Sequence, residues 1–448
     1  MSFIPHLKKD IDEICKELGL SDIEGLFNSI PGEVRLSGKL NLPAPLPEKE
    51  LLSEIETILN MNNTDGVISF LGAGIYDHFI PSAVGALSNR SEFVTAYTPY
   101  QAEMSQGLLQ IMYEYQTFIT RLTGMEVSNA SLYDGASATF EAVKTAAHIT
   151  GRKKVIMSSL AHPEYIDVVN TGFKYSDIKI KFADNINGLT SQLSLDAELQ
   201  DAAAIVIAQT NYLGMIEDIK EIGDIAHKNG ALLIVITYPI SLGILEPPGN
   251  LGADIVVGEG QCLGLEPAFG GNTLGIFAAK KEYVRYIPGR IVGKTTDANN
   301  NDGYVLTLQA REQHIRRAKA LSNICSNQAW CALNAAIYLS LMGANGLKQT
   351  ALKCMQNAYY LADGLDKING LSVKFKKGFF NEFVLSLDNT KNFEMAQKLL
   401  EQENIVLGLP LKIKGFELSW LVSVTETKSK SVLDLVIEKV GEIIKHVK

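Results

Sequence analysis

The stretch Ala253–Gly275, ADIVVGEGQCLGLEPAFGGNTLG, sets a glycine-rich loop between two apolar runs, Asp254–Val257 and Leu274–Ala278, that read as strands. Such a loop can carry a nucleophile into a cleft. A lysine there could condense with a carbonyl ligand, but no lysine lies between Lys228 and Lys280. The loop's own nucleophile is Cys262. A reactive thiol needs a lowered pKa, and no histidine stands near Cys262 in the sequence. A self-sufficient enzyme with Cys262 as nucleophile and a buried, inert cysteine are the two readings of that residue.

A second locus is SLYDGASATFEAVKTAAH, Ser131–His148. Gly135, Ala136 and Ser137 are small, so backbone N–H groups can approach a ligand, and a helix over 137–149 would begin there with its positive end. The set Asp134, Gly135, Ala136 and Ser137 is therefore a candidate phosphate loop; Asp134 or Ser137 can equally serve as an ordinary N-cap. A third locus is TAYTPYQAEMSQG, Thr95–Gly107, where Tyr97, Tyr100, Gln101 and Glu103 crowd hydrogen-bonding groups ahead of a helical stripe ended by Gly124. It reads as a binding rim or as turn packing. In FLGAGIYDHFIPSAV, Phe70–Val84, Tyr76 or His78 could line a pocket, or the segment is a tight loop with a capping Asp77.

These loci need a scaffold. From 151 to 280, apolar runs at 154–158, 179–183, 203–208, 231–236, 254–257 and 274–278 alternate with helical runs such as 163–171 and 217–228. Continuous apolar strands between helices predict a mostly parallel sheet covered on both faces. Its ligands would bind at the carboxyl ends of the strands. The expected organisation is an N-terminal helical arm over 1–60, a large α/β domain over 61–310 and a small C-terminal α+β domain over 311–448. Residues 289–303 read as a polar surface loop or a lid. A long helical region is expected from LTLQAREQHIRRAKA onward, with Arg311, Arg316 and Arg317 on a solvated face or meeting an anion.

Composition narrows the function classes. The 448 residues are 46% hydrophobic and 20% charged, with a net charge of −9, which offers little to nucleic acid or an anionic membrane. Five cysteines without a C-x-x-C pair fit a reduced, cytoplasmic protein, and no apolar run approaches the length of a membrane span. No metal site is expected.

The motifs FLGAGIYDHFIP, TAYTPYQAEMSQG, YEYQTFITRLTGMEVSNASLYDGASATFEA and GFFNEF resemble the glycine decarboxylase (P-protein) family of the glycine cleavage system over essentially the whole chain. The resemblance implies the fold of fold-type I pyridoxal phosphate (PLP) enzymes, and the length with the missing lysine implies subunit 1 of a split form. It places the lost lysine near Cys262. It also puts Thr237 and Tyr238 where a carboxylate would pair the cofactor's pyridine nitrogen, and makes Asp134–Ser137 a relic of the cofactor-phosphate loop. PLP would then sit in a companion subunit 2, in a heterodimer or heterotetramer. The complex would decarboxylate glycine and pass the aminomethyl group to the lipoyl arm of H-protein. No catalytic residue is expected in this chain alone; Tyr97, Tyr100, Gln101 and Glu103 would help form the partner's active-site mouth. The alternative is a non-catalytic ligand-binding or scaffold module of the same fold.

Overall fold

The computed structural model describes residues 5–36, 38–62, 64–96, 98–193, 195–268 and 271–447. Contacts divide the chain into two units, 1–65 and 66–448. The first carries the helices Lys8–Glu17 and Glu48–Leu59. Leu51, Leu52, Ile55, Ile58 and Leu59 recur at helical spacing, forming one apolar face, and all five are exposed.

In the second unit the apolar runs become one seven-stranded sheet. Its order is Val127–Ser128, Gly275–Ala279, Ile255–Glu259, Leu232–Thr237, Ala202–Ala208, Lys154–Ser158, Lys179–Ala183. The last five are mutually parallel, whereas Gly275–Ala279 runs antiparallel to both its neighbours. Alternate side chains leave a strand on opposite faces, and each face has its own core. Ile205, Ile207, Leu233, Val235 and Val256 pack with Ile219, Ile222 and Ala226 of the helix Ile219–Lys228. Ala204, Val206, Ile234, Ile255 and Val257 pack with Ala138, Ala142, Val143 and Ala146 of the helix Gly135–Thr150. Fully burying a Val or Ile contributes about 1.5–3 kcal/mol, so a one-residue slip in register would be strongly resisted. Gly124, at φ +69°, closes the helix Gln106–Thr123 in the left-handed region that its missing Cβ permits.

A four-stranded antiparallel sheet, in the order Leu371–Val373, Glu382–Leu387, Ser419–Ser423, Leu409–Pro410, makes a second layer. Its core joins Phe383, Leu385, Trp420 and Val422 to Val436 and Val440 of the helix Lys430–His446, and also to Phe70 and Leu160.

Two expectations need correction. Residues 289–303 are not simply a loop. Ile291–Thr296 and Asp302–Thr307 form an antiparallel hairpin, and Asp297 builds its turn by accepting from the N–H groups of Asn299 and Asn301. The polar tip DANNNDG masks the β-forming residues on either side. Nor does 309–319 form a long helix, and the solvated face holds for Arg316 and Arg317 but not for Arg311. Leu308 and Arg317 both have φ +54°, which interrupts any helix. Arg311 is turned inward, donating to the carbonyls of Ile287, Leu308 and Gly289. Arg316 and Arg317 are exposed, and the long helix begins at Ala329.

Candidate functional site

The carboxyl ends of the parallel strands enclose a cavity of ≈ 70 Å³. Ala208, Thr237 and Glu259 end three of the strands and line it, together with Tyr76, His162, Tyr165, Tyr212, Tyr238 and Glu382. No lysine or arginine is among the lining residues. Pockets that enclose drug-sized ligands measure about 300–1,000 Å³, so this one is small. It presents two carboxylates, four tyrosines and a histidine.

Glu259 stands where strand Ile255–Glu259 gives way to the glycine-rich loop. Its Oε2 accepts from the N–H of Gly135 at 3.0 Å, and its Oε1 from the N–H groups of Gln261 at 2.9 Å and Leu274 at 2.8 Å. Desolvation raises its pKa, opposed by those three donors. Asp134, the N-cap of the helix Gly135–Thr150, accepts from the N–H of Ser137 at 2.7 Å and its hydroxyl at 2.8 Å. The small residue at 135 permits a close approach: a Cβ there would lie 2.0 Å from the Tyr165 hydroxyl oxygen and 2.9 Å from the Glu259 nitrogen. The candidate phosphate loop thus forms a helix N-terminus, but Asp134, Gly135, Ala136 and Ser137 lie behind Tyr165 and Glu259 rather than lining the cavity.

Cys262 is buried, and burial pushes its thiol well above the ordinary range. It does not line the cavity. This geometry gives no support to a nucleophilic thiolate. Beyond the next strand, Thr237 donates its hydroxyl to Gln209 at 3.1 Å. The Tyr238 ring lies against Tyr76 with centroids 4.3 Å apart. The Tyr238 hydroxyl is joined to Nε2 of His78, whose Nδ1 meets Glu426 at 2.7 Å. Glu426 also accepts from the Phe79 N–H at 2.8 Å and the Cys354 thiol at 3.2 Å. Burial works to raise the Glu426 pKa, but the His78 hydrogen bond and charge hold it below the usual value. Tyr76 therefore lines the cavity, while His78 lies behind it as a prop for Tyr238.

The opposite wall comes from the small sheet. Glu382 accepts from the N–H of Ala73 at 2.7 Å and from the Tyr76 hydroxyl at 2.8 Å. Burial pushes its carboxyl up to about 7 despite both bonds. His162 donates from Nε2 to the Ala73 carbonyl at 2.7 Å and accepts at Nδ1 from the Glu164 N–H at 3.2 Å, so the ring is the neutral tautomer. Burial lowers its pKa in the same sense.

Tyr97 lies outside the described residues. Tyr100 is 65% exposed; its ring sits 5.6 Å from the Arg290 guanidinium carbon, and its hydroxyl accepts from Nη2 at 3.5 Å. Arg290 is itself buried and held by Asn327 at 3.1 Å and the Cys325 carbonyl at 3.0 Å. Gln101 and Glu103 are exposed. None of these three lines the cavity. Sequence reasoning singled out Tyr76, His78 and Tyr238 but missed Glu259, Glu382 and the Glu426 carboxylate that supports His78. A lone carboxylate directly after four apolar strand residues, at a strand's carboxyl end, was the available signal for Glu259.

Residues 1–440 match the family model described as glycine cleavage system P-protein. The chain is 47% identical over 445 residues to a protein of Chloroherpeton thalassium named probable glycine dehydrogenase (decarboxylating) subunit 1, covering 99% of this chain and 100% of that one. It is similar to the crystal structure of an inhibitor-bound glycine decarboxylase (P-protein) of the glycine cleavage system, at 40% identity and TM-score 0.90, covering 99% of this chain and 100% of that chain. A sphingosine-1-phosphate lyase of Burkholderia pseudomallei, at 16% identity and TM-score 0.65, shares the fold over 93% of this chain and 95% of that one. The fold is thus that of the fold-type I PLP enzymes.

Proposed function

The chain belongs to the glycine cleavage system P-protein family, and we propose that it is the subunit of a heteromeric glycine decarboxylase that does not hold the cofactor. A companion subunit 2 carries PLP, which supplies the electron sink for loss of CO₂ from glycine. The complex then passes the aminomethyl group to the lipoyl arm of H-protein. The assembly is a heterodimer or heterotetramer in the cytoplasm; among the described residues no helix is long and apolar enough to cross a membrane.

The observation that carries this division of labour is the cavity at the strand ends. An imine would need an amine where Cys262 is buried, a protonated pyridine nitrogen would need a carboxylate where Thr237 and Tyr238 stand, and a phosphate would need the N–H groups that Glu259 and Asp134 already occupy. The residues present do not fit PLP, and no step of the chemistry is routed through this pocket.

Within the complex this chain supplies half of the fold and a rim. We place Tyr97, Tyr100, Gln101 and Glu103 at the mouth of the companion's active site. The exposure of the last three supports that role, as does the support of the Tyr100 ring by the buried Arg290. The exposed apolar face of Glu48–Leu59 supports an arm at 1–60 that packs on the companion. Separate cores around the seven-stranded and four-stranded sheets support a division of the rest into 61–310 and 311–448. The test is glycine decarboxylation in the presence of H-protein by each purified subunit and by the mixture. Activity in the mixture alone is expected; equal activity of this chain without its companion would overturn the proposal.

A further inference from the structure

We infer that Glu259 is a built-in substitute for a ligand anion: its carboxylate fills the point where a helix N-terminus and the glycine-rich loop converge, and so excludes phosphate-bearing ligands from this subunit. The inference rests on the proposed reading of the chain as the subunit that does not hold the cofactor, and it names the residue responsible. Three backbone N–H groups from three separate segments meet on this one side chain: Gly135 opens a sixteen-residue helix, Gln261 lies in the loop, and Leu274 precedes the returning strand. Convergent backbone donors at a helix N-terminus are the arrangement that binds phosphate. Here the donors are satisfied by a carboxylate from within the chain, at 2.8–3.0 Å.

The plug is steric as well as electrostatic. Gly135 packs closely against Tyr165 and the Glu259 backbone, and the place in front of its N–H is taken by the Glu259 carboxylate itself. A phosphate brought near would also meet the Asp134 carboxylate, which accepts from the Ser137 N–H in the same first turn. No arginine or lysine lines the adjoining cavity to offset the like charges.

The test is thermal unfolding of the full chain in inorganic phosphate against chloride at matched ionic strength, for wild type, Glu259→Ala and Glu259→Gln. Removing the carboxylate in Glu259→Ala leaves the three donors facing an anion-sized space. At phosphate one hundredfold above its Kd, the unfolding temperature of this variant should rise by roughly 3 °C relative to chloride. Wild type should show only the general stabilisation that phosphate gives by exclusion from the protein surface, well short of the rise in Glu259→Ala. Glu259→Gln keeps the space filled and should resemble wild type. A rise in wild type equal to that in Glu259→Ala would overturn the inference, as would a folded Glu259→Ala that ignores phosphate. If Glu259→Ala does not fold in chloride, recovery of folded protein in phosphate supports the inference and no recovery in either salt overturns it. Decarboxylation by the wild-type complex is a separate readout, so failure here is distinguishable from failure of the proposed function.

Discussion

Glu382→Gln tests the energetics of the cavity. The Glu382 carboxyl goes from an ordinary 4.5 to about 7 in the folded chain, chiefly through desolvation. Between those values the folded state keeps a proton that the unfolded state has lost. Stability from this group is therefore fully present below about 4.5 and is lost as pH rises through about 7. At about 1.4 kcal/mol per pH unit, the loss across the window is roughly 3 kcal/mol. With an unfolding entropy of about 2.1 cal/mol/K per residue over the 448 residues, that corresponds to roughly 3 °C in unfolding temperature. Glutamine imitates the protonated acid: its carbonyl can accept from the Ala73 N–H and its amide can donate to the Tyr76 hydroxyl, which takes the acceptor role. The assay is thermal unfolding of both proteins from pH 4.5 to 8.5. The two should differ little at the acid end, and the variant should gain on wild type by about 3 °C by pH 8.5. A difference that stays constant across the range would refute a carboxyl held near neutrality by burial.

Two further predictions concern the rim and the thiols. If the Tyr100 hydroxyl or the Glu103 carboxylate positions the reacting groups in the companion's site, Tyr100→Phe and Glu103→Gln should each lower turnover of the assembled complex about tenfold, equivalent to about 1.4 kcal/mol. Phe retains the ring over Arg290, so assembly should survive, and unchanged turnover in normally assembled complexes would remove the rim from catalysis. Cys325 is exposed, whereas Cys15, Cys262, Cys331 and Cys354 are buried. Iodoacetamide should therefore label the native chain once, at Cys325; rapid labelling of Cys262 would contradict its burial and its raised pKa.

Much of the scaffold is legible in the sequence because it rests on local pattern. AAAIVIA at 202–208 is buried on both faces and so reads as an unbroken apolar run. Gly124 ends its helix as its position implies. The hairpin over 291–307 was hidden because its polar tip dominates its composition. The cavity is less legible because its contacts are long-range. Glu259 meets Gly135 across 124 positions, Tyr238 meets His78 across 160, and His78 meets Glu426 across 348. No periodicity encodes such meetings. What the sequence offers is negative evidence, the missing lysine and the missing carboxylate after the strand; that other side chains fill those places emerges only when the chain is folded.

The most direct test of the central claim is borohydride reduction of the assembled complex with PLP, followed by peptide mapping of the pyridoxyl-lysine. The expected result is one stoichiometric site, in the companion subunit, and none in this chain. Lys280 and Lys294, the first two lysines beyond the glycine-rich loop apart from Lys281, pair with Asp254 and Asp302 respectively, and neither lines the cavity. A stoichiometric pyridoxyl group on any lysine of this chain would contradict the account.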